Sequence, residues 1–460
     1  MRQSSATTSR LSPQFAVLSL QFGANPQSLT LIYRVNLTYS TLSPAPFSLA
    51  RKSPISWFCQ ANLADTSHSV TVYTCLADVP AAWDALAPAH SRTLHRPFLQ
   101  AIEDCPPSDS TPIYVLFYEG QRPIGLAYCQ LIDFKAAESI SQDPIGENEC
   151  FFTTLGKHLK EQVAKHIGFH GLVCGNLLLT GEHGHHFEAQ ITPQRVFELL
   201  NEGIESVRIK LETQFNIAIK VTLFKEYFAA SRAAAGALRE SGCYEFAVQP
   251  NMIFELQPEW HTFDDYLNAL TSKARTRAKR AFKKLDDLVC RTLSLDDMLA
   301  LAGEMHQLYR AIANTAGFNL IYLQQGYFLS LKRALQDDFC VKGYFDPQNG
   351  NKLVGFMTAI RNGDELEAHF LGLDDAYNAS HQLYLNILFE LTRLGIDWQA
   401  TRIVYARTAL EIKSSVGAEA HEMYNYLRHR NGISNALIKS LFEYLQPQAV
   451  AWQPRHPFKD

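Results

Sequence analysis

Residues 401–417 place charged groups directly after a short apolar strand. The strand reads RIVYA, and Arg407, Glu411 and Lys413 follow it. In an extended chain Glu411 and Lys413 would point to the same side, because alternate residues share a face. A carboxylate beside an ammonium group could remove a proton from an attacking amine and stabilise the resulting oxyanion. In a helix, Arg407 and Glu411 would instead form a surface pair worth about 0.3 to 0.5 kcal/mol.

A second candidate lies at the amino end of an almost wholly apolar helix, predicted over residues 381–395. Asn378 and Ser380 precede this helix and are good N-cap residues. A buried helix whose amino end meets the carboxyl end of a strand can bind an anion or a developing oxyanion. Ordinary capping is the alternative, because every helix has free N–H groups to satisfy.

A third candidate is a basic helix. Seven of the twelve residues from Lys273 to Lys284 are Lys or Arg, and none is acidic. Such a helix repels itself unless phosphate neutralises it, so tRNA, a nucleotide pyrophosphate or an anionic membrane could be its partner. The alternative is a solvated helix that nearby acids balance. Those acids are Asp264, Asp265, Asp286 and Asp287.

Histidines offer a weaker signal. The spacing of His183, His185 and His186 lets two imidazoles approach one metal ion, but no third ligand of zinc type accompanies them, so a polar loop is predicted and no metal site. His369 shares a predicted strand face with Glu367 and precedes the apolar helix, which makes it a second candidate base.

The chain divides into an atypical start and two globular parts. Residues 1–64 contain no Asp or Glu and are rich in Ser and Thr, as in a transit peptide. A disordered extension or a start placed too far upstream is the preferred interpretation. The remainder is too long for one ordinary core and predicts domains over 65–250 and 251–460.

Each predicted domain has the same order of elements: helices, an antiparallel meander, then helix, strand and helix. This order predicts an α/β (α+β) fold with central mixed, largely antiparallel sheets flanked by helices. Thr192 and Thr262 are predicted helix caps, the second for one long helix that includes the basic segment. Two terminal helices are predicted after the strand near 402–406.

Several function classes lack support. No P-loop, Gly-x-Gly-x-x-Gly, Gly-x-Ser-x-Gly or His-Glu-x-x-His motif occurs. Nine scattered cysteines without a Cys-x-x-Cys pair indicate a reducing compartment, so a cytoplasmic location is predicted. No apolar run reaches the roughly 18 to 20 residues of a membrane span. The net charge of -4 does not point to nucleic acid.

Together these segments resemble the FemAB-type branch of the acyl-CoA N-acyltransferase (GNAT) superfamily, whose members include peptidoglycan biosynthesis proteins. The resemblance rests on the basic helix, the strands KLVGFMTAIRNGDELEAHFLGL and the segment YARTALEIKSSVGA, in which Lys413 precedes Gly417 by four residues. It covers residues 250–430, and residues 80–130 weakly. It implies two tandem GNAT-like domains around a cleft.

The resemblance also implies transfer of an acyl or aminoacyl group from acyl-CoA or aminoacyl-tRNA to a small-molecule or lipid-linked amine acceptor. Glu411 or His369 would take the amine proton, and Lys413 would stabilise the oxyanion. The donor stays open, because DDAYNASHQLY lacks the glycine-rich loop that binds the CoA pyrophosphate. The residues expected to bind substrate or donor are Asn378, Ser380, His381, Tyr384, Tyr405, Arg407, Lys273 and Arg277.

Two other functions remain open from the sequence. One is a non-catalytic module that binds a cell-wall precursor, a nucleotide or tRNA through the basic helix. The other is an acyltransferase of small-molecule biosynthesis.

Overall fold

Helices pack against one continuous mixed sheet in the part of the chain that the structure describes. The structure is a computed structural model that describes residues 58–63, 67–135, 168–315, 319–431, 435 and 452–459. Its elements confirm the predicted α/β class with a largely antiparallel central sheet. The helix predicted near 153–167 lies outside the described residues, as does the extension predicted over 1–64 apart from 58–63.

Fourteen strands of the described residues form the sheet, and runs of apolar residues account for its central strands. Their order across the sheet, named as below, is β1-β2-β3-β4-β5-β7-β14-β8-β13-β12-β11-β10-β9, with β6 beside β4. The strands are β1 (Phe58–Asn62), β2 (His68–Tyr73), β3 (Ser110–Glu119), β4 (Arg122–Lys135), β5 (Gly168–Cys174), β6 (His185–Phe187), β7 (Ile219–Phe228), β8 (Tyr244–Glu255), β9 (Val289–Thr292), β10 (Phe339–Asp346), β11 (Lys352–Asn362), β12 (Glu365–Leu373), β13 (Arg402–Val404) and β14 (Glu419–His429).

Eleven α-helices are described, and Thr192 caps the longest of them as predicted, accepting a hydrogen bond from the Arg195 amide. The helices are α1 (Ala82–Leu86), α2 (Arg96–Asp104), α3 (Pro193–Phe215), α4 (Gly236–Glu240), α5 (Phe263–Ala269), α6 (Ser272–Lys283), α7 (Leu295–Thr315), α8 (Tyr327–Leu335), α9 (Asp375–His381), α10 (Leu383–Asp397) and α11 (Leu410–Ser414).

The long helix predicted from Thr262 is two helices, α5 and α6. Thr262 caps α5 through a capping box with Asp265, as predicted, but Leu270 is extended and ends that helix. Thr271 then caps α6. The break is stabilised by the C-terminal segment, because the Thr271 amide donates to the Pro457 carbonyl (2.8 Å). A contact with residues far along the chain therefore overrides local helix propensity.

Residues 419–429 were not predicted to be a strand, and they form strand β14 after helix α11. This strand pairs antiparallel with β7 on one side and β8 on the other. Met423, Tyr426 and Leu427 are buried in it. Aromatic residues favour strands, and two partner strands satisfy the backbone more completely here than a helix on the surface would.

A shared hydrophobic cluster joins the two halves of the chain. It contains Trp83 and Tyr128 from the first half with Phe328 and Phe356 from the second. Full burial of one such side chain contributes roughly 1.5 to 3 kcal/mol. The predicted domain boundary at residue 250 falls inside strand β8. Strand β14, from the second half of the chain, lies between β7 and β8 in the middle of the sheet.

Candidate active site

Two pairs of described strands in the sheet are parallel, β5 with β7 and β12 with β13. The β12–β13 pair separates after only three residues. Strands β12 and β13 pair only from Glu365 with Arg402 to Glu367 with Val404. Beyond that point β12 stays with β11, whereas the next residues after β13 bond to β8, through the Tyr405 amide and the Met252 carbonyl (2.8 Å). Two strands that diverge at their carboxyl ends create a position where side chains from both can meet a ligand.

The turn after β13 has an unusual backbone. Ala406, Thr408 and Ala409 have φ angles of 60°, 69° and 50°. Such left-handed conformations cost non-glycine residues energy, and a β-branched residue such as Thr408 most of all. Lys413 on α11 stabilises this turn, since its ammonium group donates to the carbonyl oxygens of Ala406 (3.1 Å) and Arg407 (2.6 Å).

Lys413 is therefore buried beside the diverging strands rather than on an open surface. Its exposed fraction is 4%. Burial, and then the Arg407 guanidinium, lower the pKa of Lys413 to about 7. Two of its three N–H bonds are used by the carbonyl oxygens, and no third partner occurs among the described residues.

Glu411 does not lie beside Lys413, because the segment is helical. The α11 helix turns their side chains to different sides, and exposed Glu411 pairs with Arg455 of the C-terminal segment (3.3 Å). The alternative Arg407–Glu411 pair does not form either. Arg407 instead contacts Glu226 of the first half, with 3.1 Å between Nη1 and Oε1.

Glu226 belongs to a buried ion cluster at the end of β7. Its side chain accepts hydrogen bonds from the Lys225 ammonium and the Gly181 amide, and its own amide donates to Asn425 (2.6 Å). Burial opposes ionisation of Glu226, but the Lys225 and Arg407 cations outweigh it and lower its pKa. Sequence patterns missed this cluster, because its members come from three distant segments.

His369 lies just beyond the last rung between β12 and β13. Its Nε2 is 2.8 Å from the Tyr327 hydroxyl of α8, and its ring packs edge-on against Phe370. The register between β11 and β12 shifts at this point. The shift explains why the side chains of the neighbouring residues His369 and Phe370 lie on the same side of β12. Burial lowers the pKa of His369 to about 3, so its imidazole is neutral at physiological pH and a weak base.

Glu367 and His183 form a second pair across the halves. His183 Nε2 lies 3.4 Å from Glu367 Oε1, and both side chains are largely buried. The predicted polar loop around His183 is therefore wrong in part, since the His183 side chain is largely buried and His185 begins strand β6. Only one pattern in the sequence pointed to this region, namely the alternation that placed Glu367 and His369 on one strand face.

The predicted cap residues behave differently from one another. Asn378 accepts a hydrogen bond from the Tyr384 amide (3.0 Å) and so caps α10. Both residues lie within α9, and Ser380 donates to the Ala376 carbonyl of that helix (2.8 Å). Tyr405 is buried, and its hydroxyl donates to the Leu388 carbonyl of α10 (3.0 Å).

Ser380 and His381 line a pocket of about 340 Å³. Within it, His381 lies 3.4 Å from Asp287, and the Tyr377 hydroxyl donates to Asp346 (2.6 Å). Two carboxylates and no Lys or Arg favour an amine here over a phosphate. The lining residues are Asp287, Leu288, Asp346, Gln348, Ala376, Tyr377, Ser380 and His381.

The Lys and Arg side chains of α6, and Lys284 directly after it, form no ion pairs with the nearby acids among the described residues. Asp265 caps α5 and Asp287 contacts His381 instead. Arg275 donates to backbone carbonyls at the end of α5. Six further cations on α6 and directly after it have no carboxylate within ion-pair distance among the described residues: Lys273, Arg277, Lys279, Arg280, Lys283 and Lys284.

Among the described residues, no group of three or more His, Cys, Asp or Glu side chains is arranged to hold a metal ion. None of the described helices combines the length and hydrophobicity that crossing a membrane requires.

No protein-family model and no curated protein sequence matches this chain. Among solved structures it is similar to FemX, with 10% identity and a TM-score of 0.43 over 75% of this chain and 93% of that chain. It is also similar to L-PGS from Bacillus licheniformis, with 10% identity and a TM-score of 0.39 over 76% and 97%. A tandem GNAT protein from the clavulanic acid biosynthesis pathway has 8% identity and a TM-score of 0.38 over 72% and 87%.

Proposed function

We propose that this chain is an acyltransferase that moves an acyl or aminoacyl group from acyl-CoA or aminoacyl-tRNA to an amine acceptor. The observation that carries the proposal is the early separation of β12 and β13, beside which Lys413 is buried and His369 is half-buried. Buried ionisable groups with shifted pKa values concentrate at functional sites. An ammonium group with a free N–H bond is suited to a developing oxyanion.

In this reaction the amine nitrogen attacks the activated acyl carbonyl between the diverging strands. Lys413 donates its remaining N–H bond to the carbonyl oxygen as negative charge develops there. His369 is too weak a base for the amine proton but can orient the acceptor through its ring nitrogen. Glu411 is exposed and paired with Arg455, so it has no part in this step.

The donor's phosphates would bind the unpaired cations of α6. Helix α6 packs against the first turn of α10, since the Asn386 side chain donates to the Ala281 carbonyl (3.0 Å). The acidic pocket beside Ser380 and His381 would hold the cationic acceptor instead. This division separates the two substrates by charge, and it suits a polyanionic donor such as aminoacyl-tRNA as well as acyl-CoA.

The test is to offer the purified protein acetyl-CoA, longer acyl-CoAs and aminoacyl-tRNA in turn. A donor at one hundred times its dissociation constant should raise the unfolding free energy by about 2.7 kcal/mol. Transfer of a labelled acyl group to a primary amine should follow with the same donor. If no donor stabilises the protein and none is turned over, the proposal is wrong.

A binding module without catalysis is the second candidate, and the unpaired cations of α6 favour it. Such a module would bind tRNA, a nucleotide or a phosphate-bearing cell-wall precursor with an affinity that falls steeply as salt rises. It would release every donor unchanged. Salt-sensitive binding without turnover by the wild-type protein selects this function over transfer.

A further inference from the structure

We propose that Glu226 of the first half is a positioning residue for the transfer site of the second half. Through Arg407, Glu226 fixes the turn that holds the Lys413 ammonium group, and it keeps a second cation beside that group. The proposal rests on the proposed function, and it gives the first half of the chain a part in the transfer site.

Glu226 has a backbone conformation that is rare for its residue type. It lies at a register shift between β7 and β14, and its φ angle is 59°. This left-handed conformation costs a glutamate energy, and residues held in such conformations concentrate at functional sites. The Glu226 side chain is only 1% exposed. The fold therefore maintains an unfavourable backbone at the position of a buried carboxylate.

The two oxygens of the Glu226 carboxylate have separate partners. Oε2 accepts hydrogen bonds from the Lys225 ammonium group and from the Gly181 amide (3.0 Å), which both belong to the first half. Oε1 lies 3.1 Å from Nη1 of Arg407. The contacts within the first half therefore leave one carboxylate oxygen for a cation of the second half.

The segment that carries Lys413 contacts Glu226 on both sides of helix α11. Arg407 precedes the helix and pairs with the carboxylate. Asn425 lies on β14, which follows the helix, and its side-chain oxygen accepts a hydrogen bond from the Glu226 amide (2.6 Å). Glu226 therefore anchors this segment both before and after α11.

Arg407 connects this anchor to the Lys413 ammonium group. It lies in the turn of residues 406–409, where Ala406 and Thr408 have φ angles of 60° and 69°. The carbonyl oxygens of Ala406 and Arg407 accept the hydrogen bonds of the ammonium group (3.1 and 2.6 Å). A shift of the turn would move that group, and a displacement of about 1 Å in a site can lower a rate about 100-fold.

Arg407 also determines the charge beside Lys413. Strands β8 and β14 and the C-terminal segment pack against α11, and the titratable groups that they and the helix contribute there are Glu255, Glu419, His421, Arg455 and Glu411. Among the described residues, Arg407 is the only charged group that acts on the Lys413 ammonium group. Burial, and then Arg407, lower the pKa of Lys413 to about 7. Because the charged form donates strongly, transfer should fall as pH rises through that value.

The first experiment compares the pH dependence of transfer in matched variants. Arg407→Gln removes the cation, which stabilises the ammonium form of Lys413, so the alkaline limb should move upward by about one pH unit. Its kcat should fall about tenfold with KM little changed, because the turn is held less firmly. Arg407→Lys keeps the charge and should return the limb toward its wild-type position. Arg455→Gln, which removes an arginine beside the same helix, is the control and should leave the limb in place.

A double-mutant cycle tests whether Glu226 acts through Arg407. Glu226→Gln should lower kcat by a factor similar to that of Arg407→Gln, and the double variant should lose no more than Arg407→Gln alone. Losses that multiply in the double variant would overturn the inference. Glu226→Asp, which keeps the charge and shortens the side chain, replaces Glu226→Gln should that variant not fold, with a smaller loss expected and the same criterion.

A titration without substrate separates failure of this inference from failure of the proposed function. Carbon NMR of protein with isotope-labelled lysine follows Lys413 as the signal that is missing in Lys413→Met. An upward shift of its pKa in Arg407→Gln supports the inference even if the wild-type protein turns over no donor, a result that would count against the proposed function alone. An unmoved titration overturns the inference. A raised KM with an unmoved alkaline limb would do the same, because Arg407 would then bind a substrate.

Discussion

The two parallel strand pairs in this sheet have different surroundings at their carboxyl ends. Beyond β5 and β7, the chain's own loop contacts the charged groups: Lys225 donates to the Leu179 carbonyl (2.7 Å), and Glu226 accepts from the Gly181 amide (3.0 Å). Beyond β12 and β13, no loop of this kind contacts the Lys413 ammonium group among the described residues, and that group donates to the turn before its own helix.

A buried side-chain amide with an unpaired atom lies beside each of these strand pairs. Asn251 on β8 has an exposed fraction of 1%, and neither end of its side-chain amide has a partner among the described residues. The next residue, Met252, donates its backbone amide to the Ala406 carbonyl (3.2 Å), which places Asn251 beside the strained turn. Buried polar groups are nearly always satisfied, and the side-chain nitrogen of Asn176, just beyond β5, is a second exception.

Glu226→Ala should have the largest effect on stability. It leaves the Lys225 ammonium buried without its carboxylate, and breaking such a pair costs roughly 3 to 5 kcal/mol. Chemical denaturation measures the loss. Glu411→Ala breaks the exposed pair with Arg455 and is the control, with less than about 1 kcal/mol expected. A loss below 1 kcal/mol for both variants would show that the buried pair of the first half contributes no more to stability than the exposed pair of the second half.

Lys413→Met should have the largest effect on activity. Loss of one donor to a developing oxyanion lowers kcat by about 100- to 1000-fold. The pKa of Lys413 is about 7, and only its charged form donates strongly, so wild-type activity should fall as pH rises through that value. The Lys413→Arg variant stays charged over this range, so its activity should not fall as pH rises through that value. An unaltered kcat in Lys413→Met would remove the ammonium group from the reaction.

Glu367→Gln should change how stability depends on pH. Because the pKa of Glu367 is raised in the folded protein, its contribution is fully present below about 4.5, the unfolded value, and is lost as pH rises through about 8. The slope approaches 1.4 kcal/mol per pH unit between these values. Lys413 contributes with the opposite sign above pH 7, so the quantity to measure is the difference between wild type and variant. A difference that does not vary with pH would show that Glu367 ionises normally.

The sequence predicted the local features of the site better than its contacts. Alternation identified the strand of Glu367 and His369, and cap preferences identified Thr192 and Thr262. These features depend on neighbours within a few residues, which periodicity and turn chemistry describe.

Contacts between distant segments explain what the sequence could not predict. Nothing near His183 indicates that its loop would lie over Glu367, and nothing near Arg407 indicates Glu226 as its partner. The choice between strand and helix for Glu411 depends on the left-handed turn before it. Such outcomes are set by tertiary packing, which overrides local propensity.

The smallest expected effect concerns the surfaces of α3 and α6. On α3, Arg195 and Arg208 both pair with glutamates of the same helix, whereas Lys279 and Lys283 on α6 have no such partner. If phosphates bind α6, the double change Lys279→Gln with Lys283→Gln should lower the slope of log affinity against log salt by about one for each lysine. Lys210→Gln on α3 removes a comparable charge and should leave the slope unchanged. Filter binding of aminoacyl-tRNA over a salt series measures both, and equal slopes in all three proteins would place the donor's phosphates elsewhere.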